Sequence, residues 1–156
     1  MPEIVSKIVE IFIYRKIDNE YKFLLLKRDK SEVHPGIWSI AGGEIEKDEK
    51  AYEAAIREMN EETGLTAKHI YVIDIVNTFY EMNDDELHVV PLFLAEAEEG
   101  EAELSDEHSE YGWMNYEDAH NKIYWIGWKN NLKLINEILN SENLFRTLKE
   151  IKINLP

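Results

Sequence analysis

Glu58, Glu61 and Glu62 stand at i, i+3 and i+4 in the stretch Arg57-Glu58-Met59-Asn60-Glu61-Glu62-Thr63-Gly64. On a helix that spacing puts them on one face, with Cβ atoms about 5–6 Å apart. Carboxylates held so close repel one another unless a cation sits among them. Hard oxygen ligands of this kind suit Mg²⁺ or Mn²⁺. Arg57 lies one residue off that face and can orient a carboxylate through paired N–H bonds. Taken alone, the same pattern is the solvated acidic face of an amphipathic helix. Its context distinguishes it: the helix is entered from Ala41-Gly42-Gly43, a flexible turn that can bring backbone carbonyls and amides close to a ligand.

The balance of charge bears on that chemistry. Lys and Arg total 17 against 32 Asp and Glu, a net charge of −15. A field of that sign repels phosphate backbones and argues against a nucleic-acid partner. It also repels a small phosphate ester, which can be held only by local inversion through divalent cations or a few placed Lys and Arg side chains. Most of the excess acid is surface that keeps the protein soluble. There is no cysteine, which excludes disulfides and thiolate metal sites and fits a reducing compartment. No apolar run approaches the roughly 18–20 residues of a membrane span, and the start, Met1-Pro2-Glu3-Ile4, does not resemble a secretory signal. The expected location is cytoplasmic, with no membrane partner. A Gly-x-x-x-x-Gly-Lys phosphate loop, a Gly-x-Ser-x-Gly elbow and a His-Glu-x-x-His helix are all absent from the sequence.

These side chains need a frame. A chain of 156 residues with 44% apolar content suits one domain, 1–156, large enough to bury a core. Lys7–Tyr14 and Tyr21–Lys27 are β-branched, aromatic or aliphatic enough for two strands, joined at Asp18-Asn19-Glu20 as a hairpin. Residues 28–48 read as a long loop holding a short strand near Trp38–Ile40. A helix is expected from Asp48, a good N-cap, to Thr63. Ala51, Ala54, Ala55, Ile56 and Met59 supply its apolar stripe, and Gly64 suits the left-handed position after it. Residues 70–80 and 87–97 read as strands around a turn at Asn83-Asp84-Asp85, and Tyr111–Met114 as a short last strand. Helices are expected over Tyr116–Asn121 and Gly127–Asn140, with a weaker one over 143–151. Strands on both sides of a central helix, with helices at the end, imply an α/β mixed sheet with helices on its faces.

The segment Gly43–Leu65 resembles the Nudix hydrolase family, whose pattern is Gly-x5-Glu-x7-Arg-Glu-U-x-Glu-Glu-x-Gly-U with U apolar. Every fixed position is filled here, by Gly43, Glu49, Arg57, Glu58, Met59, Glu61, Glu62, Gly64 and Leu65. The resemblance implies an α/β/α sandwich with a loop–helix–loop catalytic motif. It also implies that Glu58, Glu61 and Glu62 hold divalent cations, with the Gly42 carbonyl a further ligand and with Arg57 and Glu49 as orienting partners. Glu44 is adjacent and is expected no closer than behind the ligands. The reaction implied is attack of water on phosphorus in a diphosphate linkage, with Mg²⁺, or Mn²⁺ in its place, neutralising the phosphate oxygens. A carboxylate must take the water's proton. In the family that base lies on the helix, where Glu58 and Glu61 are the candidates, or on a later loop, where Ser105-Asp106-Glu107-His108 offers one.

Glu107-His108-x-x-Tyr111-x-Trp113 resembles a stretch shared by dihydroneopterin triphosphate pyrophosphohydrolases and diadenosine tetraphosphate hydrolases, in which the Glu before the His is a metal ligand or base. Glu107 is therefore a fourth acidic site residue. Trp128-Lys129-Asn130 also looks like the dihydroneopterin triphosphate group. Trp38-Ser39-Ile40-Ala41-Gly42-Gly43 departs from the Pro-containing entry of many diadenosine tetraphosphate hydrolases, which favours a nucleoside or pterin triphosphate. Trp38, and less so Tyr80 and Trp113, can stack on a ring. Lys27 and Arg28, at a strand end, can pair with phosphates. His34 and His88 read as structural or solvated, and Trp125 and Trp128 as packing the last long helix on the sheet or forming a subunit contact. A diadenosine tetraphosphate hydrolase, another nucleoside-diphosphate hydrolase and a catalytically idle ligand-binding domain of the same fold remain alternatives; cleavage of an RNA cap is disfavoured by the acidic charge. The oligomeric state is not readable from the sequence; related enzymes are often monomers or dimers, and a monomer or homodimer is expected.

Overall fold

The computed structural model describes residues 1–153; the last three residues of the expected 1–156 domain lie outside it. In chain order the elements are β1 (Glu3–Val5), β2 (Ile8–Ile17), β3 (Glu20–Arg28), β4 (Trp38–Ser39), β5 (Ala41–Glu44), α1 (Ala51–Thr63), β6 (Ala67–Glu81), β7 (Glu86–Ala97), β8 (His108–Met114), α2 (Tyr116–Lys122), α3 (Ile126–Leu139), α4 (Glu142–Phe145) and β9 (Lys149–Glu150). The strands form one mixed sheet in the order β4-β3-β2-β7-β6-β9, with β1 on β7, β5 on β2 and β8 on β3. β2 and β7 run parallel, whereas β2–β3 and β6–β7 are antiparallel hairpins. No helix among the described residues is long and apolar enough to cross a membrane.

Alternation along β2 explains the layers. Successive side chains point to opposite faces of a strand. Val9, Ile11 and Ile13 pack with Ala54, Ala55 and Met59 of α1, while Phe12 and Tyr14 pack with Leu132, Ile135 and Leu139 of α3. Both faces of the sheet are thus covered, giving the expected α/β/α sandwich. Ala54 and Ala55 are fully buried, so α1 lies close on the sheet.

The sheet forks along one edge of β2. β3 pairs with β2 from Tyr14 to Ile17, and β5 pairs with β2 from Ile8 to Ile11. Beyond Phe23, β3 is paired with β8 and β4. The segment 38–44 crosses from one tine to the other, carrying Trp38 and then Gly42-Gly43.

Several expected boundaries move. α1 begins at Ala51 with Lys50 as its N-cap, not Asp48. Asp48 adopts φ 65° in the preceding turn, while the Lys50 amide donates to the Glu53 carboxylate at 2.9 Å. The expected loop 28–48 contains β5 as well as β4, because Ala41–Glu44 finds ladder partners on β2. The helix expected over 143–151 is only the short α4; Lys149–Glu150 instead pairs with Tyr71 and Val72 as edge strand β9. β1 was not expected at all: three residues have too little pattern to reveal a strand that exists through its pairing to β7. At the other end of α1, Gly64 takes φ 67° and its amide donates to Asn60 O at 2.8 Å, closing the helix as expected.

Candidate active site

Two glycines bring α1 to the sheet fork. A Cβ on Gly43 would lie 2.4 Å from the Glu58 carboxyl, and a Cβ on Gly42 would lie 2.4 Å from Val9 O. Neither position has room for a side chain, so β5 can run directly beneath the acidic face of α1. The Gly42 amide then donates to Glu62 Oε2 at 3.1 Å. Glu62 is only 5% exposed. Burial pushes its carboxyl up to about 9, with the negative charges of Glu58 and Glu107 adding to the shift and the Gly42 amide opposing it. Glu58 is also pushed up, first by burial and then by Glu61 and Glu107, against the pull of Arg57.

Arg57 acts as a clamp. Its Nε and Nη2 donate to the two Glu49 oxygens at 2.8 and 2.9 Å, Nη1 donates to Glu58 Oε1 at 2.8 Å, and Nη2 also reaches Glu44 O at 2.9 Å. The paired bonds hold the Glu49 carboxyl down at about 2 and raise the guanidinium still further. Glu44 thus contributes its backbone carbonyl while its side chain is exposed. Glu61 lies at the rim, 56% exposed, with Arg57 Nη1 at 3.2 Å.

The loop before β8 supplies the opposite wall. One ligand atom each from Glu62, Glu107 and His108 lies within 4.8 Å of the others. His108 is buried, its Nδ1 has no protein partner, and burial with the nearby Arg28 charge lowers its pKa and keeps the ring neutral. A buried carboxylate, an exposed one that repels it, a neutral imidazole and a short mutual separation fit a divalent cation. Sequence reasoning passed over His108 as a donor, although it directly follows Glu107 in the stretch quoted for that residue.

The other expected substrate contacts are engaged by their own neighbours. Lys27 Nζ pairs with Glu110 at 2.8 Å. Arg28 Nε donates to Val33 O at 2.7 Å and Nη2 lies 3.6 Å from Glu32. Trp38 is half-buried on the α3 side of the fork, with Lys122 Nζ 5.1 Å from its ring centre. Tyr80 donates to Asp85 at 2.9 Å, and Trp113 carries the Arg15 guanidinium 4.3 Å above its ring; the structure does not bring either to the acidic cluster. His34 meets Trp125 edge-on, and His88 stacks on Phe79 at 4.8 Å. Trp128 does pack α3 toward the sheet, but its indole N–H donates to Glu10, a buried acid that sequence reasoning did not single out. The signal was available: Glu10 is the one charge inside the apolar run Ile8–Tyr14.

The family model of the NUDIX domain matches residues 7–134, which takes in β2, the glycine turn, α1, the β8 loop and most of α3. The chain belongs to the Nudix family. Among Nudix relatives, it is 29% identical over 117 residues to the bis(5'-nucleosyl)-tetraphosphatase (asymmetrical) of Caenorhabditis elegans, covering 74% of this chain and 83% of that protein. It is 29% identical over 114 residues to the nucleoside triphosphatase NudI of Escherichia coli K12, covering 65% of this chain and 79% of that protein. A crystal structure of a C. elegans Ap4A hydrolase binary complex superposes with a TM-score of 0.74 at 27% identity, over 87% of this chain and 98% of that one. The Nudix fold and the membership in a hydrolase family expected from Gly43–Leu65 therefore stand.

Proposed function

We infer that this single Nudix unit hydrolyses a diphosphate linkage in a nucleoside triphosphate-like substrate, either a nucleoside triphosphate or a pterin triphosphate. The observation that carries the inference is the buried Glu62, fixed by the Gly42 amide and facing Glu58 and Glu107. A group in that position has no structural need of a charge, and its environment favours a bound cation.

Glu58, Glu62, Glu107 and His108, with the Gly42 carbonyl, are the residues that would hold Mg²⁺, or Mn²⁺ in its place; Glu61 would join them from the rim. Such an ion, when bound, neutralises phosphate oxygens and stabilises the charge that builds on them. The chain's own groups do the rest. Arg57 locks Glu58 against Gly43 and takes its own orientation from Glu49. A Glu107 oxygen accepts the proton of the attacking water, the new P–O bond forms, and the P–O bond to the leaving phosphate breaks with its electrons staying on the departing oxygen. Lys27 and Arg28, at the end of β3, exchange their present acidic and carbonyl partners for substrate phosphates, and Trp38 offers a ring surface beside the glycine turn.

Two relatives support a nucleotide substrate, one named for nucleoside triphosphates and one for bis(5'-nucleosyl) tetraphosphates. The likeness to the Ap4A hydrolase structure is the specific observation behind a second reading, that a dinucleoside polyphosphate is cut. A panel of nucleoside triphosphates, dinucleoside polyphosphates, nucleotide sugars and dihydroneopterin triphosphate, assayed for phosphate and pyrophosphate release with Mg²⁺ and Mn²⁺, tests both. Preference for a triphosphate is expected; preference for diadenosine tetraphosphate would install the second reading. No release from any of them would leave a binding domain.

A further inference from the structure

Glu10 is the buried acid the proposed chemistry does not use. It is 6% exposed, and its side chain lies on the α3 face of β2, alternating with Val9 and Ile11 on the α1 face. Asn77 Nδ2 donates to Glu10 Oε1 at 2.9 Å and Trp128 Nε1 donates to Oε2. Both donors are neutral, and no Lys, Arg or His pairs with Glu10 among the described residues. The charge is thus taken out of water without a cation, a costly arrangement for a group that only fastens a helix. Burial accordingly raises its pKa. Each carboxylate oxygen has taken one hydrogen bond from the protein and keeps a further acceptor site.

Glu10 also lies beside the glycine turn and the aromatic start of α3. Glu10 is the ladder partner of Gly42, and a Cβ on Gly42 would lie 3.5 Å from Glu10 Cγ. The amide of the same glycine binds Glu62, so one residue separates Glu10 from the proposed cation site. Trp128 stands edge-on to Trp125 at 6.2 Å, and Trp125 is 40% exposed. Asn77 is held in register by Gly127, where a Cβ would fall 2.6 Å from Asn77 Oδ1. The first turn of α3 therefore closes on β6 with no slack, which orients the amide toward Glu10.

We propose that Glu10, positioned by Asn77 and Trp128, is the specificity residue that binds a ring with adjacent N–H and NH₂ donors, the 2-amino-4-oxo edge shared by guanine and pterin. This rests on the hydrolase reading above and narrows its substrate. Two parallel donors match the two remaining acceptor sites of the carboxylate. Uracil and thymine would turn a carbonyl oxygen toward it, and adenine and cytosine a ring nitrogen lone pair. Each mismatch leaves a buried acceptor facing an acceptor.

GTP and ITP differ only in the 2-amino group, which makes them the direct test. For wild-type protein with Mg²⁺, kcat/KM for GTP should exceed that for ITP at least about tenfold, the scale of one lost hydrogen bond to a charged group. Glu10→Gln should bring the ratio within about threefold by lowering the GTP value far more than the ITP value, a signature that mere loosening of α3 would not give. Comparing GTP with dihydroneopterin triphosphate distinguishes the two sources of the edge. Equal use of GTP and ITP by the wild type overturns the inference, with no variant needed if Glu10→Gln fails to fold. Binding of guanosine against inosine, followed by tryptophan fluorescence, separates the two readings. Preference in binding without turnover sinks the hydrolase and keeps the subsite; turnover without preference does the reverse.

Discussion

Gly42-Gly43 has a carboxylate pressed against it from each side of the sheet, and the two are built differently. On the α1 side, Glu58 and Glu62 sit with Arg57 and Glu61, all four within six residues of one helix, and with Glu107 from just before β8, in a cluster of charges. On the α3 side, Glu10 has only neutral partners, Asn77 and Trp128, drawn from distant strands and helices. The first arrangement is a device for a cation: like charges forced together, with one fixed counter-charge to aim them. The second is a device for neutral donors, since a lone acceptor pair in an apolar wall discriminates by hydrogen bonding and not by charge. Two buried acids one glycine apart can therefore serve different ends of one substrate.

The contrast is sharpest where the α1 side is broken. Glu62→Gln should lower kcat by about a thousandfold or more, on the scale of a lost electrostatic stabiliser, with the fold intact as followed by circular dichroism. Turnover within tenfold of wild type would move the chemistry elsewhere. Glu107→Gln should cost roughly a hundredfold, in the range for general base catalysis; near-wild-type rates would assign the proton to α1 instead. Arg57→Lys keeps the charge but loses the paired bonds to Glu49, so a fall in kcat of about tenfold is expected together with weaker Mn²⁺ binding. Wild-type values for both would mean that the clamp only stabilises the helix.

The smallest effect is on stability, and its sign differs between two acids of the same cluster. Glu62, raised from 4.5 to about 9, binds a proton in the folded state that the unfolded chain has lost, so metal-free protein should lose stability as pH rises from about 4.5 to 9. Glu49, lowered from 4.5 to about 2, contributes stability that is full above about 4.5 and lost as pH falls toward 2. Thermal melting of chelator-treated protein should therefore peak on the acidic side of neutrality, and Glu62→Gln should remove the alkaline decline. A melting temperature that keeps rising to pH 9 would show that Glu62 is ionised without metal.

How much of this was legible follows the same divide. Glu58, Glu61, Glu62 and Arg57 are close in sequence and their pattern reports a helix face directly, so the acidic cluster could be read before any fold was known. β2, β3, α1 and α3 were legible for the same reason, each being a strong local pattern. What was not legible depends on pairing between remote segments. β1, β5 and β9 are strands because β7, β2 and β6 offer them edges. Asn77 meets Glu10 across 67 positions and Trp128 meets it across 118. No spacing rule covers such separations; only the oddity of one acid in an apolar strand marked the place. His108 falls between, visible beside Glu107 but silent about its buried, unpartnered nitrogen.

Titrating metal-free protein with Mn²⁺ at pH 7, by calorimetry in buffers of different ionisation enthalpy, bears most directly on the cluster. Wild-type protein should bind Mn²⁺ with release of about one proton, because the Glu62 carboxyl must ionise to take part, and Glu62→Gln should bind it far more weakly with no such release. Binding of equal strength in the two proteins, or none in either, would contradict a cation site at the glycine turn.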